Sequence, residues 1–194
     1  MPDQGEEHEF VSALRDLMHI LETDYRGMII GGMAVIALGY PRATTDIDAT
    51  VIEELDNLEN LLSRLESHGI VPRMENVLDF ARSNHVLLMR HKQSGIDIDI
   101  SIALLPFEEE AISNCQEVDF AGIKIFIPRA EDLIIYKMVA SRPEDLRDVE
   151  ELLLRHLDKI NLKRVRSIVK QFADVLDRPE MVTQLDILIE RSKQ

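Results

Sequence analysis

The chain is poor in the side chains on which several common chemistries depend. Among its 194 residues there is no tryptophan, aromatic residues make up only 5%, and Cys115 is the one cysteine. With so few rings, aromatic platforms for stacking single-stranded bases are not expected. A lone cysteine forms no intramolecular disulfide, and His85 and His91 have no further ligand at zinc-site spacing. The composition therefore favours a reducing compartment, and we expect a cytoplasmic protein.

Positive charge is also scarce. The chain has 22 Lys and Arg against 36 Asp and Glu, which gives a formal net charge of -14. Neutralising nucleic-acid phosphates requires basic side chains, so the general surface is not expected to bind nucleic acid. An excess of carboxylates instead suits a site that gathers divalent cations.

Long hydrophobic runs are absent as well. The longest apolar stretch, residues 28–40, contains glycines and is shorter than the roughly 20 residues of a membrane helix. The first ten residues are acidic and polar, which is unlike a signal peptide. We therefore expect no membrane partner.

The hydrophobic pattern predicts an α+β core followed by helices. Predicted strands cover 27–30, 46–52, 84–91, 96–103, 118–120 and 123–127, the last two joined by a hairpin turn. Predicted helices cover 8–24, 33–38, 55–65, 107–113, 130–140, 144–157, 161–177 and 179–191. The pattern places the α+β core at about residues 25–127 and the helical part after Pro128.

Two of the predicted strands carry paired aspartates. Asp46 and Asp48 lie two positions apart on one strand, and Asp97 and Asp99 repeat the pattern on a later strand. Side chains two apart on a strand share a face, so each pair points one way. If the two strands are neighbours, three or four carboxylates meet in an oxygen-rich site suited to Mg²⁺. The same pattern is also typical of charged edge strands that resist aggregation.

A glycine pair precedes the first aspartate strand. Gly31 and Gly32 lie between a predicted strand and a predicted helix, where backbone amides can approach phosphate. A phosphate cradle beside a cation site points to phosphoryl or nucleotidyl transfer. A Gly-Gly pair is also common in turns and at close packing points.

At these residues the sequence resembles the nucleotidyltransferase superfamily of DNA polymerase β type. That superfamily has a Gly-Gly or Gly-Ser pair, an Asp-x-Asp strand and a later acidic residue, which correspond here to Gly31-Gly32, Asp46, Asp48 and Asp99. The segment 40–48, YPRATTDID, is similar to the branch of AbiEii-type toxins. So are DISIALLPFE at 99–108 and an R-x-x-D-x-x-D motif within 128–149. The resemblance covers residues 27–150 approximately, and the match at 99–108 favours Asp99 over Asp97 as the third carboxylate.

The resemblance implies a mixed β-sheet core with flanking helices and a C-terminal helical region. It implies transfer of a nucleotide from an NTP with two Mg²⁺ (or Mn²⁺) ions held by Asp46, Asp48 and Asp99. It further implies catalytic roles for Lys137 and Asp148. The residues expected to bind the nucleotide are Gly31, Gly32, Arg42, Thr44, Arg142 and Asp145. The expected division is an N-terminal helix at 1–24, a catalytic core at 25–150 and a helical region at 151–194.

Each residue of the later motif also has a purely structural explanation. Asp145 and Asp148 lie at the start of a predicted helix, where acidic side chains favour the helix dipole. Lys137 lies in an apolar run and can extend its ammonium group to solvent. Arg42 either reaches phosphate or covers a loop.

A basic segment follows the motif. Residues 155–170 contain six Lys or Arg and one Asp, and Lys163, Arg166 and Lys170 fall on the outer side of a predicted helix. The segment is either a solvated helix face or a contact surface for RNA or an acidic partner.

Three functions remain open at this point. The first is a toxin-like nucleotidyltransferase that modifies an RNA or protein acceptor and is paired with an antitoxin. The second is a nucleotidyltransferase for a small molecule of the aminoglycoside type, which the general acidity favours. The third is a catalytically silent nucleotide-binding module with the same fold.

Overall fold

The computed structural model describes residues 4–193, and its helices and strands alternate for most of that length. The helices are α1 (Gln4–Thr23), α2 (Gly31–Ala37), α3 (Leu58–Ser67), α4 (Val77–Asn84), α5 (Pro106–Ser113), α6 (Ala130–Ala140), α7 (Pro143–His156), α8 (Leu162–Val175) and α9 (Glu180–Arg191). The strands are β1 (Gly27–Ile29), β2 (Asp46–Val51), β3 (Ile70–Pro72), β4 (Val86–His91), β5 (Asp97–Ile102), β6 (Gln116–Phe120) and β7 (Ile123–Ile127). A short 3-10 turn, Leu55–Asn57, precedes α3.

Five of the strands form a mixed sheet. Their order is β1-β2-β5-β4-β3; β2 and β5 are parallel, and the other neighbouring pairs are antiparallel. The strands β6 and β7 form a separate antiparallel hairpin, in which Ala121 and Gly122 both have positive φ, as a tight hairpin turn requires. The predicted α+β class with a mixed sheet, flanking helices and a C-terminal helical region is confirmed.

The residues divide into two compact units. One contains the chain up to Met33 together with Ala43–Ile127, and the other contains Ala34–Arg42 together with the chain from Pro128 onward. The expected functional division at 1–24, 25–150 and 151–194 is not tested by these units and stays a prediction, and its first three residues lie outside the described part.

Each unit has its own apolar core. In the first unit, Ile47, Ile98 and Ile100 are fully buried on the sheet face opposite the aspartates, as strand alternation requires. In the second unit α6 contacts both α7 and α8, and Ile134 and Val165 are fully buried. None of the described helices combines the length and the apolarity needed to cross a membrane.

The segment between residues 70 and 84 was not predicted correctly. It forms β3 and α4, whereas the sequence pattern predicted neither, and Asn84 ends a helix instead of beginning a strand. Both elements are too short for a clear hydrophobic period, and α4 is bounded by Asn76 and His85 in the left-handed conformation. In addition, α2 begins at Gly31 and not at Met33, so the glycine pair belongs to the helix.

Candidate active site

Four carboxylates lie on one face of two neighbouring strands. In the parallel register of β2 and β5, Asp46 is opposite Asp97 and Asp48 is opposite Asp99. Adjacent strands are about 4.8 Å apart, so these side chains form a compact acidic patch. Asp46 is exposed and the other three are half-buried. The two aspartate strands are therefore neighbours, which the predicted carboxylate site required.

Gly31 lies directly against the carboxylate of Asp48. A Cβ atom on Gly31 would be 1.9 Å from Asp48 Oδ2, and Gly31 has a φ of +62°. The Ile30 amide also donates to the Asp48 carbonyl oxygen at 2.8 Å. Glycine is thus required at position 31 by its conformation and by the space that Asp48 takes. Gly32, the next residue, is buried in the first turn of α2.

Thr44 is bound to the first aspartate of the patch. Its hydroxyl donates to Asp46 Oδ1 at 3.2 Å and lies 3.3 Å from the Asp46 carbonyl oxygen. The hydroxyl holds the loop before β2 against the strand and orients the exposed Asp46 carboxylate.

Two arginines from the neighbouring strands bind the β5 carboxylates. Arg73, directly after β3, places Nη1 2.7 Å from Asp97 Oδ2 and Nη2 2.6 Å from Asp99 Oδ1. Arg90 on β4 donates from Nε to Asp97 Oδ1 at 2.7 Å. Neither arginine belongs to a motif that is recognisable in the sequence.

The two β5 carboxylates differ in their titration. The hydrogen bond from Arg90 lowers the pKa of Asp97, and Arg73 acts in the same direction. Burial raises the pKa of Asp99, and the nearby Arg73 offsets this only in part. Asp97 is thus stabilised as a carboxylate by its arginine partners, whereas Asp99 is in a more desolvated position.

The donor set of the patch suits a hard divalent cation. The carboxylates supply only oxygen ligands, which is what Mg²⁺ and Mn²⁺ prefer, and nucleotide phosphates can complete the coordination. Among the residues that the structure describes, however, no three His, Cys, Asp or Glu side chains are already placed around a metal position. The ligand types therefore fit a divalent cation, while Arg73, which contacts both Asp97 and Asp99, partly neutralises the patch.

The second unit contains a buried ionic network at the junction of α6 and α7. Lys137 Nζ lies 2.9 Å from both Asp145 Oδ1 and Asp148 Oδ2. Arg42 Nη1 contacts Asp148 Oδ2 at 2.6 Å, and Arg142 Nε contacts Asp145 Oδ2 at 2.7 Å. Lys137 is only 4% exposed, so the alternative in which it extends to solvent is wrong.

Three cations and two buried carboxylates meet in this network, and Arg142 also contacts Glu144 Oε1 at 3.4 Å. Burial acts to raise the pKa of Asp145, but hydrogen bonds from Arg142 and Lys137 outweigh burial and hold that pKa below its usual value. Asp145 also accepts from the Arg142 backbone amide at 3.1 Å, so it caps α7. The predicted residues Arg42, Lys137, Arg142, Asp145 and Asp148 therefore form one cluster.

The sequence profile of a family described as "nucleotidyltransferase of unknown function (DUF6036)" matches residues 9–193. The chain belongs to this family. It is accordingly a nucleotidyltransferase, and an NTP is its donor substrate. A search of curated proteins finds no match.

Several solved structures of other proteins share this fold. The antibiotic-resistance factor ANT(2'')-Ia is 16% identical with a TM-score of 0.62, covering 90% of this chain and 96% of that one. JHP933 from Helicobacter pylori is 16% identical with a TM-score of 0.55, covering 98% and 92%. The lincosamide antibiotic adenylyltransferase LnuA is 14% identical with a TM-score of 0.51, covering 73% and 94%.

In this DUF6036 member the basic segment is partly neutralised by its own unit. Arg164 Nη1 contacts the buried Asp132 at 2.6 Å, Arg166 Nη2 contacts Asp186 at 2.5 Å, and Arg155 pairs with Glu151. A groove of about 710 Å³ lies between α8 and α9 and is lined by side chains of both charges. Its charged lining residues are Lys163, Arg166, Lys170, Asp186, Glu190 and Lys193.

Arg73 is the residue of this nucleotidyltransferase's carboxylate patch that was hardest to predict from the sequence. It precedes an unpredicted helix and follows an unpredicted strand, and no motif includes it. The signal that does exist is Arg90, which alternates onto the same face as the aspartates once β4 and β5 are paired, with Arg90 opposite Asp97. An arginine in that register position indicates that the aspartates are paired with basic side chains of the neighbouring strands.

Proposed function

We propose that the chain transfers a nucleotide from an NTP to a hydroxyl group of a small cationic acceptor, with Mg²⁺ or Mn²⁺ held by Asp46, Asp48 and Asp99. The observation that supports this most is the parallel register that puts Asp48 opposite Asp99 with Gly31 against Asp48. The proposed catalytic core is 25–150, flanked by the helix 1–24 and the helical region 151–194. The proposed location is the cytoplasm.

The reaction forms one bond and breaks one bond at the α-phosphorus. The acceptor oxygen forms a bond to that phosphorus, the bond to the β-phosphate oxygen breaks, and pyrophosphate leaves. When bound, the divalent cation neutralises the charge that develops on the phosphate oxygens. Asp46, Asp48 and Asp99 would hold the divalent cation, and Asp99 would also orient the acceptor hydroxyl and accept its proton.

The α6–α7 network supplies positive charge to the donor substrate in this proposal. Lys137 contacts a phosphate group, and Asp145 and Asp148 fix its ammonium group in place. Arg42 and Arg142 are the further phosphate-binding cations, and the loop residues Gly31, Gly32 and Thr44 bind the nucleotide. The supporting observation is that three cationic side chains, those of Arg42, Lys137 and Arg142, meet at one junction and are held there by two aspartates.

A small cationic acceptor fits the electrostatics of the chain. A net charge of -14 attracts a polycation and repels a polyanion. The similar protein ANT(2'')-Ia has been solved with adenylyl-2''-tobramycin, and LnuA has been solved with lincomycin. Both lines of support favour a small amine-bearing molecule with free hydroxyl groups.

The second candidate is the toxin-like enzyme of the AbiEii branch, with an RNA acceptor and an antitoxin partner. It is supported by the groove between α8 and α9, where Lys163, Arg166 and Lys170 lie together. The pairing of Arg164 and Arg166 with acidic side chains reduces the charge available there. The silent module is not favoured, because the family consists of nucleotidyltransferases and all three predicted carboxylates are present.

The experiment uses ATP labelled at the α-phosphate, with tobramycin and total transfer RNA as separate acceptors. We expect label on tobramycin, release of pyrophosphate in equal amount, and loss of both in Asp48→Asn. The triple variant Lys163→Ala, Arg166→Ala, Lys170→Ala serves as the control and should label tobramycin as the wild type does. Labelling of RNA alone, lost in the triple variant, would overturn the small-molecule proposal in favour of the second candidate.

A further inference from the structure

Arg73 binds the carboxylate that the proposed function assigns to the cation. Its backbone amide donates to the Leu88 carbonyl oxygen at 3.1 Å, and Leu88 is opposite Asp99 in the β4–β5 pair. The Arg73 side chain therefore reaches across one whole strand, β4, to meet Asp97 and Asp99 on β5. A guanidinium group can do this because it is long, planar and able to donate in two directions.

This contact has the geometry of a strong ion pair. Arg73 donates to Asp97 Oδ2 at 2.7 Å and to Asp99 Oδ1 at 2.6 Å. The Arg73 side chain is 23% exposed, and those of Asp97 and Asp99 are 32% and 30% exposed. Charges at this depth are screened less by water and salt than surface charges are. The guanidinium group carries its charge at every accessible pH.

A guanidinium group and a divalent cation compete for the same carboxylate oxygen. Two positive charges that approach one carboxylate repel each other, so each weakens the binding of the other. Four carboxylates and two arginines make up the patch, which leaves a formal charge of -2 before any cation enters. A cation that binds Asp99 through Oδ1 therefore competes with Arg73 for that oxygen.

We propose that Arg73 is an internal counter-ion that competes with the divalent cation for Asp99 and so sets the affinity of the metal site. This inference rests on the proposed metal site at Asp46, Asp48 and Asp99. In the absence of metal, Arg73 keeps the β5 carboxylates compensated. On metal binding the guanidinium group leaves Asp99 and becomes available to the triphosphate, for which its fork of donors is well matched. Metal and NTP then bind cooperatively, because each stabilises the state in which Arg73 is released.

Arg90 provides a matched control for this idea. It lies on the same face of the sheet and donates to Asp97 from Nε at 2.7 Å, but its contacts do not include Asp99. Its side chain is also more exposed, at 51%. Removing Arg90 changes the charge of the patch as much as removing Arg73 does, but it leaves the contact of Arg73 with Asp99, the proposed metal ligand, in place.

The test measures Mn²⁺ affinity without nucleotide, by the electron paramagnetic resonance signal of free Mn²⁺, for wild type, Arg73→Gln and Arg90→Gln. We expect Arg73→Gln to bind Mn²⁺ about three- to tenfold more tightly, which is the range for loss of a competing, partly buried ion pair. Arg90→Gln should gain less than Arg73→Gln. In an Asp99→Asn background, Arg73→Gln should give no gain.

Other outcomes separate this inference from the proposed function. Wild-type Mn²⁺ binding with no gain, or a loss, in Arg73→Gln would overturn the role of Arg73 and leave the metal site in place. Absence of Mn²⁺ binding in every protein, with and without an ATP analogue, would overturn both. If Arg73→Gln does not fold, Arg73→Lys replaces it. One ammonium group cannot bridge both carboxylates as the guanidinium group does, so a smaller gain in Mn²⁺ affinity is expected. No gain in Mn²⁺ affinity would overturn the proposal.

Discussion

The lack of a side chain at Gly31 makes room for one carboxylate of the acidic patch. Gly31 lies where a Cβ atom would overlap Asp48 Oδ2, and its φ of +62° is one that other residues adopt at a cost. The sequence marked Gly31 as a position where phosphate can approach. The structure adds a steric reason for glycine at the same position, because the carboxylate of Asp48 needs that space.

Gly31→Ala should therefore disturb the metal site as well as the backbone. Gly69→Ala is the control, since Gly69 also has positive φ, +75°, but has no atom within 4 Å of an added Cβ. Both changes should lower the free energy of unfolding by about 1–2 kcal/mol through backbone strain. Only Gly31→Ala should also weaken Mn²⁺ binding, because it pushes Asp48 aside. Urea unfolding and Mn²⁺ titration check this, and equal Mn²⁺ binding by both variants would contradict it.

At the scale of elements, strand alternation was predictable and the short elements were not. The alternating aspartates and isoleucines of β2 and β5 indicate two half-buried strands, and the helices α7 to α9 follow clear hydrophobic periods. The parallel pairing of β2 with β5 depends on long-range packing, which no local pattern encodes. Arg73 was missed because β3 has only three residues, and its partners lie on β5 beyond another strand.

The α6–α7 junction is a second place where the sequence alone could not predict the environment of the side chains. The family resemblance singled out Lys137 and the R-x-x-D-x-x-D motif, but the sequence left open whether these side chains are exposed or buried. The structure answers this, because Lys137, Asp145 and Asp148 are all buried. Asp145 is fully buried, and Lys137 and Arg142 contact it from the two ends of the turn between the helices. An ion pair this deep is costly to break from one side, since the remaining charge loses its partner.

Asp145→Asn should lower the free energy of unfolding at pH 7 by about 3 kcal/mol, because it leaves Lys137 buried with less compensation. The pKa of Asp145 in the folded protein is held below 3.8, its usual value. Ionised Asp145 therefore stabilises the fold above pH 3.8, and this contribution is lost as the pH falls through the lower pKa of the folded state. The difference from wild type should thus be constant down to pH 5 and shrink below pH 4. Urea unfolding across this range measures it.

The exposed Asp158 provides the control for that series. Asp158→Asn should change the free energy of unfolding by less than about 0.5 kcal/mol, as surface substitutions usually do. A small effect of Asp145→Asn at pH 7, or one that does not depend on pH, would show that the network at the helix junction contributes little.

At the scale of the whole molecule, charge separates the functions that the fold allows. The first unit has 23 Asp and Glu against 8 Lys and Arg, whereas the second has 13 against 14, so the negative charge of the chain belongs to the first unit. In the second unit, positive side chains are paired at the α6–α7 junction and along α8. The sequence predicted the outward positions of Lys163, Arg166 and Lys170, which are all exposed. It did not reveal that Arg164 points to Asp132, whose position is 32 residues earlier in the chain. The pairing of this segment shifts the proposed acceptor from RNA towards a small cation.

The central claim is that the β2–β5 aspartates bind the metal that holds the nucleotide. Calorimetry with Mn²⁺ and α,β-methylene ATP, which cannot donate its nucleotide, tests this most directly. We predict metal-dependent binding by wild type and by Asp97→Asn. Binding should be at least about tenfold weaker in Asp99→Asn and in the double variant Asp46→Asn, Asp48→Asn, since even outer-shell partners of a metal contribute that much. Equal affinity of wild type and the double variant, or a larger loss for Asp97→Asn than for Asp99→Asn, would contradict the assignment.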